Sequence, residues 1–273
     1  MDVLPASDLQ LRAVLFSTLL VLIVAGELAA PRRRLGLPRL VRWLPNLAVG
    51  AVNIMILKIV FPMLGIGLAY LVAEAGWGLL NQASLPPAVA FIVSLLALDF
   101  VIWAQHRLFH KIPSLWRMHR MHHTDPDFDV STAVRFHPLE AVLSMVIKSA
   151  TIILLGIGPL AFLVFEVILS STSLFNHGNL RLPPALDRLL RWVVVTPDMH
   201  RVHHSAIVAE QDTNFGFNLP WWDRLFGTYR DQPEQGHERM TIGTGSFDAA
   251  DDQRLARLLA QPFRTPDQQA QPE

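Results

Sequence analysis

The chain has 273 residues, of which 51% are hydrophobic and 17% charged, and its 23 basic and 23 acidic side chains cancel to a formal net charge of zero. Soluble domains carry about 25% charged residues, so this composition belongs to the membrane class, and a neutral chain offers no global field for nucleic acid. The lack of cysteine excludes disulfides, thiolate metal sites, cysteine-held iron–sulfur clusters and cysteine nucleophiles.

Residues 11–30 form a first apolar stretch, long enough for the roughly 20 helical residues that cross hydrocarbon. Asp2 and Asp8 stand where a signal peptide would be basic, and Pro31-Arg32-Arg33-Arg34 follows, which favours a retained span over a cleaved leader. Residues 47–73, interrupted by Asn53, Lys58 and Pro62, are expected to form a second span. Residues 86–105 form a third that runs directly into His106. The stretch 139–176 is too long for one crossing and breaks at Gly156-Ile157-Gly158-Pro159, which predicts a hairpin of two helices. Leu255, Leu258 and Leu259 fall at helical spacing and predict a short surface helix, with disorder expected after Arg264.

The segment 31–43, read as a loop, carries Arg32, Arg33, Arg34, Arg39 and Arg42, whereas 74–86 carries no Lys or Arg. The positive-inside rule then places the first loop and every histidine cluster on the cytoplasmic face, in what is expected to be a bacterial inner membrane. The expected organisation is N-terminal transmembrane helices over 1–95, a catalytic region with a membrane hairpin over 96–230, and a polar C-terminal tail over 231–273. The fold class is all-α: a multi-pass helical membrane protein with a cytoplasmic helical cap.

The chemistry is announced by a repeated phrase, His119-Arg120-Met121-His122-His123 and His200-Arg201-Val202-His203-His204. Imidazoles at i, i+3 and i+4 of a helix share a face and can converge on a metal. His106 and His110, four apart, and His177 in Asn176-His177-Gly178-Asn179 raise the number of candidate ligands to nine. Nine nitrogens exceed the needs of one ion and suit two, while imidazole alone does not choose among iron, copper, nickel and zinc. Asp99 and Asp198 are candidates to accept a hydrogen bond from a ligand's second ring nitrogen. The alternatives are an ion pair of Asp99 with Lys58 and an N-cap role for Asp198. His137, in Arg135-Phe136-His137-Pro138, stands between ligand and supporting residue, and His237 is expected to be a solvated surface residue. A basic interfacial helix touching anionic headgroups would explain Arg117, Arg120 and Arg201 but not the repeated histidine spacing.

These residues resemble the fatty acid hydroxylase/sterol desaturase superfamily of membrane di-iron proteins. The resemblance runs from Asp99-Phe100 through Trp103-x-x-His106-Arg107-x-x-His110, both H-x-x-H-H runs, Arg135-Phe136-His137-Pro138 and Asn176-His177, into Asn214-Phe215-Gly216 and Trp222-Asp223-Arg224-Leu225-Phe226-Gly227-Thr228-Tyr229. It implies two iron ions held by the nine histidines and O2-dependent hydroxylation or desaturation of a lipid or sterol-like C–H bond. Some members have a further histidine four residues before the position of His177. Here Ser173 stands there, so the resemblance implies one iron with fewer protein nitrogens.

No G-x-G-x-x-G occurs in a strand–helix context, so electrons are expected from a separate ferredoxin or cytochrome. The rival readings are a membrane metal-ion transporter or a metal-binding protein without oxygenase activity. A transporter needs polar ligands along several spans, whereas these histidines cluster at the span ends. A haem carrier needs facing axial histidines within spans, and a zinc peptidase of the H-E-x-x-H type lacks its motif here.

Overall fold

A computed structural model describes the backbone over residues 6–265 and the side chains over 13–265, Leu64 excepted. The chain is helical, and its described residues form only two isolated β-bridges, Pro31–Leu180 and Ser205–Ile242. The membrane region holds α1 (Ala6–Ala29), α2 (Arg39–Val60), α3 (Leu64–Ala75), the short α4 (Leu79–Gln82) and α5 (Pro87–Lys111), then α6 (Pro113–His123) in the cap. The hairpin α7 (Pro138–Leu155) and α8 (Pro159–Asn176) follows. Short helices α9 (Pro184–Leu190), α10 (Pro197–His203), α11 (Val208–Gln211), α12 (Trp221–Leu225) and α13 (Leu255–Ala260) complete the cap. Among the described residues, four segments are long and apolar enough to cross a membrane: Arg39–Gln82, Pro87–Lys111, Pro138–Leu155 and Pro159–Asn176. Their outer faces present side chains such as Ile59 and Leu154, 72% and 67% exposed, which lipid accommodates and water does not.

The expected hairpin is present, and its turn explains the glycines. Gly156 caps α7 at φ +76°, and Gly78 begins α4 at φ +92°, both left-handed conformations that glycine adopts without strain. A Cβ on Gly78 would fall 2.0 Å from the Gly156 nitrogen, so α4 sits directly on the hairpin tip. Inside the membrane region, Ile66, Ala69 and Val72 of α3 pack with Leu98 and Ile102 of α5, Ile152 of α7, and Phe162 and Phe165 of α8.

Two expectations are revised. The stretch 47–73 is two helices, broken at Phe61-Pro62-Met63, because Pro62 has no N–H for the helical ladder. Helix α2 also starts at Arg39, so Arg39 and Arg42 belong to a helix and not to a loop. Arg42 is fully buried and donates to Asp125 Oδ1 at 2.5 Å and Asp129 Oδ2 at 2.7 Å. Asp129 also accepts from Trp43 Nε1, Asp127 from the backbone N–H groups of Gly36 and Leu37, and Asp125 from Asn46 and Thr132. The acidic segment after the first H-x-x-H-H run thereby clamps the cap onto α2.

The segment after residue 230 packs on the cap. Met240 and Ile242 cluster with Phe128, and Leu258 of the expected short helix is buried against Val49 and Met121. Arg264 contacts Asp252, and the rest of the expected disordered end, residues 266–273, lies outside the described residues.

Removing Arg42 leaves Asp125 and Asp129 buried without their cation. Arg42→Met is expected to cost about 3–5 kcal/mol, read as a lowered midpoint of thermal unfolding in detergent, whereas the exposed Arg34→Met leaves that midpoint unchanged.

Candidate metal centre

Helix α5 carries His106 and His110 one turn apart out of the membrane region. The extended residue Ile112 ends it, and Pro113 starts α6, which turns His119, His122 and His123 back toward α5. Thr196 caps α10 by accepting from Met199 N, and that helix delivers His200 and His203, with His204 at its end. His177 terminates α8. All nine predicted ligands come together, in two groups whose ligand atoms lie within 4.8 Å of one another. One group is His106, His110, His119, His123 and His203, and the other is His122, His177, His200 and His204.

The ring orientations are set from behind. Nδ1–H of His106 donates to the Phe215 carbonyl at 2.7 Å, that of His203 to the Thr213 carbonyl at 2.7 Å, and that of His177 to the Ser173 carbonyl at 2.8 Å. Nδ1–H of His119 donates to Glu140 Oε1 at 2.7 Å. A carbonyl oxygen brings no hydrogen, so Nδ1 must carry the proton and Nε2 of each neutral ring must present a lone pair. Burial lowers the pKa of His203 to about 3, helped by His119, and that of His177 to about 4 against the Ser173 bond, which keeps both rings neutral.

Yet His106 Nε2 lies 3.0 Å from both His119 Nε2 and His203 Nε2, while His119 and His123 meet at 3.2 Å. In the second group His177 Nε2 faces His122 and His200 Nε2 at 3.2 and 3.1 Å. Among His106, His119 and His203, whose protons all sit on Nδ1, the facing lone pairs have no proton between them and repel, unless a cation sits at their focus. With metal–imidazole bonds of about 2.0–2.1 Å, neighbouring ligands lie about 2.9 Å apart at right angles and about 3.3 Å apart in a tetrahedron. The observed spacings fall in that interval. Buried nitrogens without a protein partner, His110 Nε2 and His204 Nε2 among them, add to the fit.

A cavity of about 330 Å³ adjoins the first group. His106 and His119 line its inner end, and its walls are residues of α2, α5, α7 and α8 together with Phe16 of α1.

With this geometry described, the comparisons with known proteins are decisive. The sequence profile described as fatty acid hydroxylase matches residues 91–228, half of the chain. The chain belongs to the fatty acid hydroxylase family. It is 33% identical over 180 residues to an ornithine lipid hydroxylase of Rhizobium tropici, covering 65% of this chain and 51% of that one. It is 30% identical over 165 residues to an alkylglycerol monooxygenase of Xenopus tropicalis, covering 57% and 34%. It is 28% identical over 148 residues to human cholesterol 25-hydroxylase, covering 52% and 51%. The chain thus spans a third to a half of the length of these relatives. No solved structure matches it.

Within this member of the family the expected supporting residues are redistributed. Asp99 contacts no imidazole and no Lys58; it accepts from Trp222 Nε1 at 2.7 Å, which ties α5 to α12. Asp198 neither caps α10, where Thr196 does so, nor holds a ligand ring, but pairs with Arg32 and Arg201. His137 has both nitrogens occupied as a structural link. Nδ1 accepts from Leu139 N at the start of α7, and Nε2 donates to the Leu259 carbonyl. His237 is buried, 3% exposed, beside Asp198.

The carboxylate hydrogen-bonded to one of the nine histidines is Glu140, an acid in the first turn of an apolar helix, and that isolation was its one sequence signal, while Asp212 lies 3.5 Å from His110 Nδ1. Asp223 acts at one remove. It accepts from the N–H groups of Phe215 and Gly216 and from Trp103 Nε1, and so positions the carbonyl that holds His106.

Purified protein reconstituted with metal is expected to bind two ions per chain, measured by elemental analysis. His106→Ala should remove about one ion, and Glu140→Gln should weaken binding by about 10–100-fold. The pKa of His237 is lowered to about 3 by burial, with Asp198 opposing and Arg201 and Arg32 reinforcing. The folded state therefore stays neutral at pH values where the unfolded chain takes up a proton. The stability is full above about pH 6.5 and is lost as pH falls towards 3. His237→Phe should flatten that part of a melting-temperature profile.

Proposed function

We propose that the protein is an O2-dependent di-iron membrane oxidoreductase that hydroxylates or desaturates a C–H bond of a lipid or sterol-like substrate. The supporting observation is the pair of histidine groups whose ring nitrogens converge on two foci, one of them beside a cavity lined by the membrane helices. His106, His110, His119, His123 and His203 would hold one iron, and His122, His177, His200 and His204 the other. When bound, the irons supply the O2 reduction and hydrogen abstraction that no side chain provides. Hydroxylation balances as R–H + O2 + 2e⁻ + 2H⁺ → R–OH + H2O, and the two electrons come from a separate donor of ferredoxin or cytochrome type.

The chain's own residues position and shield. Thr213, Phe215 and Ser173 carbonyls with Glu140 hold the rings in their ligating orientation. The buried Phe109, Phe128 and Phe215 keep bulk water from the imidazoles. The arginines of 32–34 remain on the histidine side of the membrane, which supports a cytoplasmic centre in a bacterial inner membrane.

Membranes containing the iron-loaded protein and a reductant system, supplied with ¹⁸O2, are expected to yield an ¹⁸O-labelled lipid if the protein hydroxylates, or a lipid with a new double bond and ¹⁸O-labelled water if it desaturates, and the product falls at least about 100-fold with His203→Ala. Intact protein that yields neither product would sink the oxidoreductase reading.

A further inference from the structure

The cavity beside the first histidine group is mostly apolar, but it carries a ladder of polar side chains. Along α7, Glu140, Ser144 and Lys148 recur every fourth residue and all face it. Residues four apart stack on one helical face, so these three form a stripe about 12 Å long. On the opposite arm of the hairpin, Glu166, Ser170 and Ser173 of α8 form a matching stripe. The stripes are joined at the end far from the histidines by an ion pair, Lys148 Nζ to Glu166 Oε1 at 2.7 Å. Gln105 Nε2 donates to Ser144 at 3.1 Å, one residue before His106.

A charged pair and two serine rungs within a membrane hairpin are expensive to place there, and residues of this kind in spans mark substrate paths. Three buried atoms on the cavity side also lack protein partners: Gln105 Oε1, Asn53 Oδ1 and Glu140 Oε2. Each is a hydrogen-bond acceptor, and Glu140 and Gln105 are at most 9% exposed. Buried acceptors left open cost about 1–3 kcal/mol each, so the site is built for a ligand that brings O–H or N–H donors. The rest of the wall is apolar, with Phe16 of α1, Leu57 of α2, and Leu169 and Leu174 beside the serines of α8. Polar and apolar side chains thus line one cavity.

We propose that this ladder is a headgroup site. The substrate would be an amphiphile whose hydroxyl- or N–H-bearing polar portion lies between the imidazoles and the Lys148–Glu166 pair, with its chain along the apolar wall. The oxidised carbon then belongs to the head or its near neighbours, not to a remote position on the tail. Lys148 and Glu166 neutralise one another, so an uncharged or zwitterionic head fits better than a net anion. This rests on the hydroxylase reading and names its substrate class.

The test uses two probes of equal chain length, 1-O-hexadecylglycerol and its 2,3-di-O-methyl ether, which keeps the chain and ether oxygens but has no donor. Their competition for the full-length, metal-free protein in detergent is read by native mass spectrometry. The intact protein is expected to retain the diol about tenfold over the ether. Lys148→Met/Glu166→Leu should bring that ratio to within about twofold, and Ser144→Ala/Ser170→Ala should lower it by a smaller factor. Should the charge-pair variant not fold, judged by its melting temperature, the serine variant decides. Equal retention of both probes by the intact protein, or an undiminished ratio in the folded variants, overturns the proposal. Because no iron is present, this outcome is independent of the labelled-oxygen experiment.

Discussion

Every feature of the centre depends on one constraint: four imidazoles have the proton fixed on Nδ1 by an acceptor behind them. The acceptors are three backbone carbonyls and Glu140. Once the tautomers are set, the facing Nε2 atoms become a preorganised electrostatic trap, and the fold must hold mutually repelling lone pairs within about 3 Å until a cation arrives. The surrounding structure serves that task. Asp223 holds the loop that carries Phe215, the Pro113 restart brings α6 back to α5, and the Arg42–Asp125–Asp129 clamp prevents the cap from lifting off α2.

The convergence of the nine histidines was legible in the sequence because histidine spacing is itself a geometric statement. Four residues on a helix place two rings on one face, and the helices α5, α6 and α10 honour that spacing. The hairpin was legible for a comparable reason, since Gly156 and Pro159 can be read only as a helix end and a helix start. The residues behind the ligands were not. A backbone carbonyl such as that of Thr213 has no sequence signature, because any residue type supplies it. Carboxylates were sought near the histidines in sequence, whereas Glu140 reaches His119 from another helix and Asp198 turned to the arginines.

Burial of charge was the other blind spot. Arg42 reads as one of five arginines in a basic loop, and His237 as a solvated residue among polar neighbours in the chain. Their partners lie at residues 125, 129 and 198, and only the tertiary fold brings these within reach. The same holds for Lys148 and Glu166, which appear as isolated blemishes in two apolar helices and prove to be one pair. Single-residue reading scores a charge in a span as a cost, whereas α7 and α8, facing one another across the cavity, turn two such costs into a feature of it.

The order of the histidines along the chain also bears on biogenesis. His106 to His123 are synthesised about eighty residues ahead of His200 to His204, with both arms of the hairpin between them. At translation rates of about 5–20 residues per second, the early rings wait some 4–16 seconds for their counterparts. Throughout that interval each metal position has only part of its ligand set, so a captured ion would be held loosely and could exchange. A complete set of histidines for either group therefore exists only after both arms of the hairpin have been made.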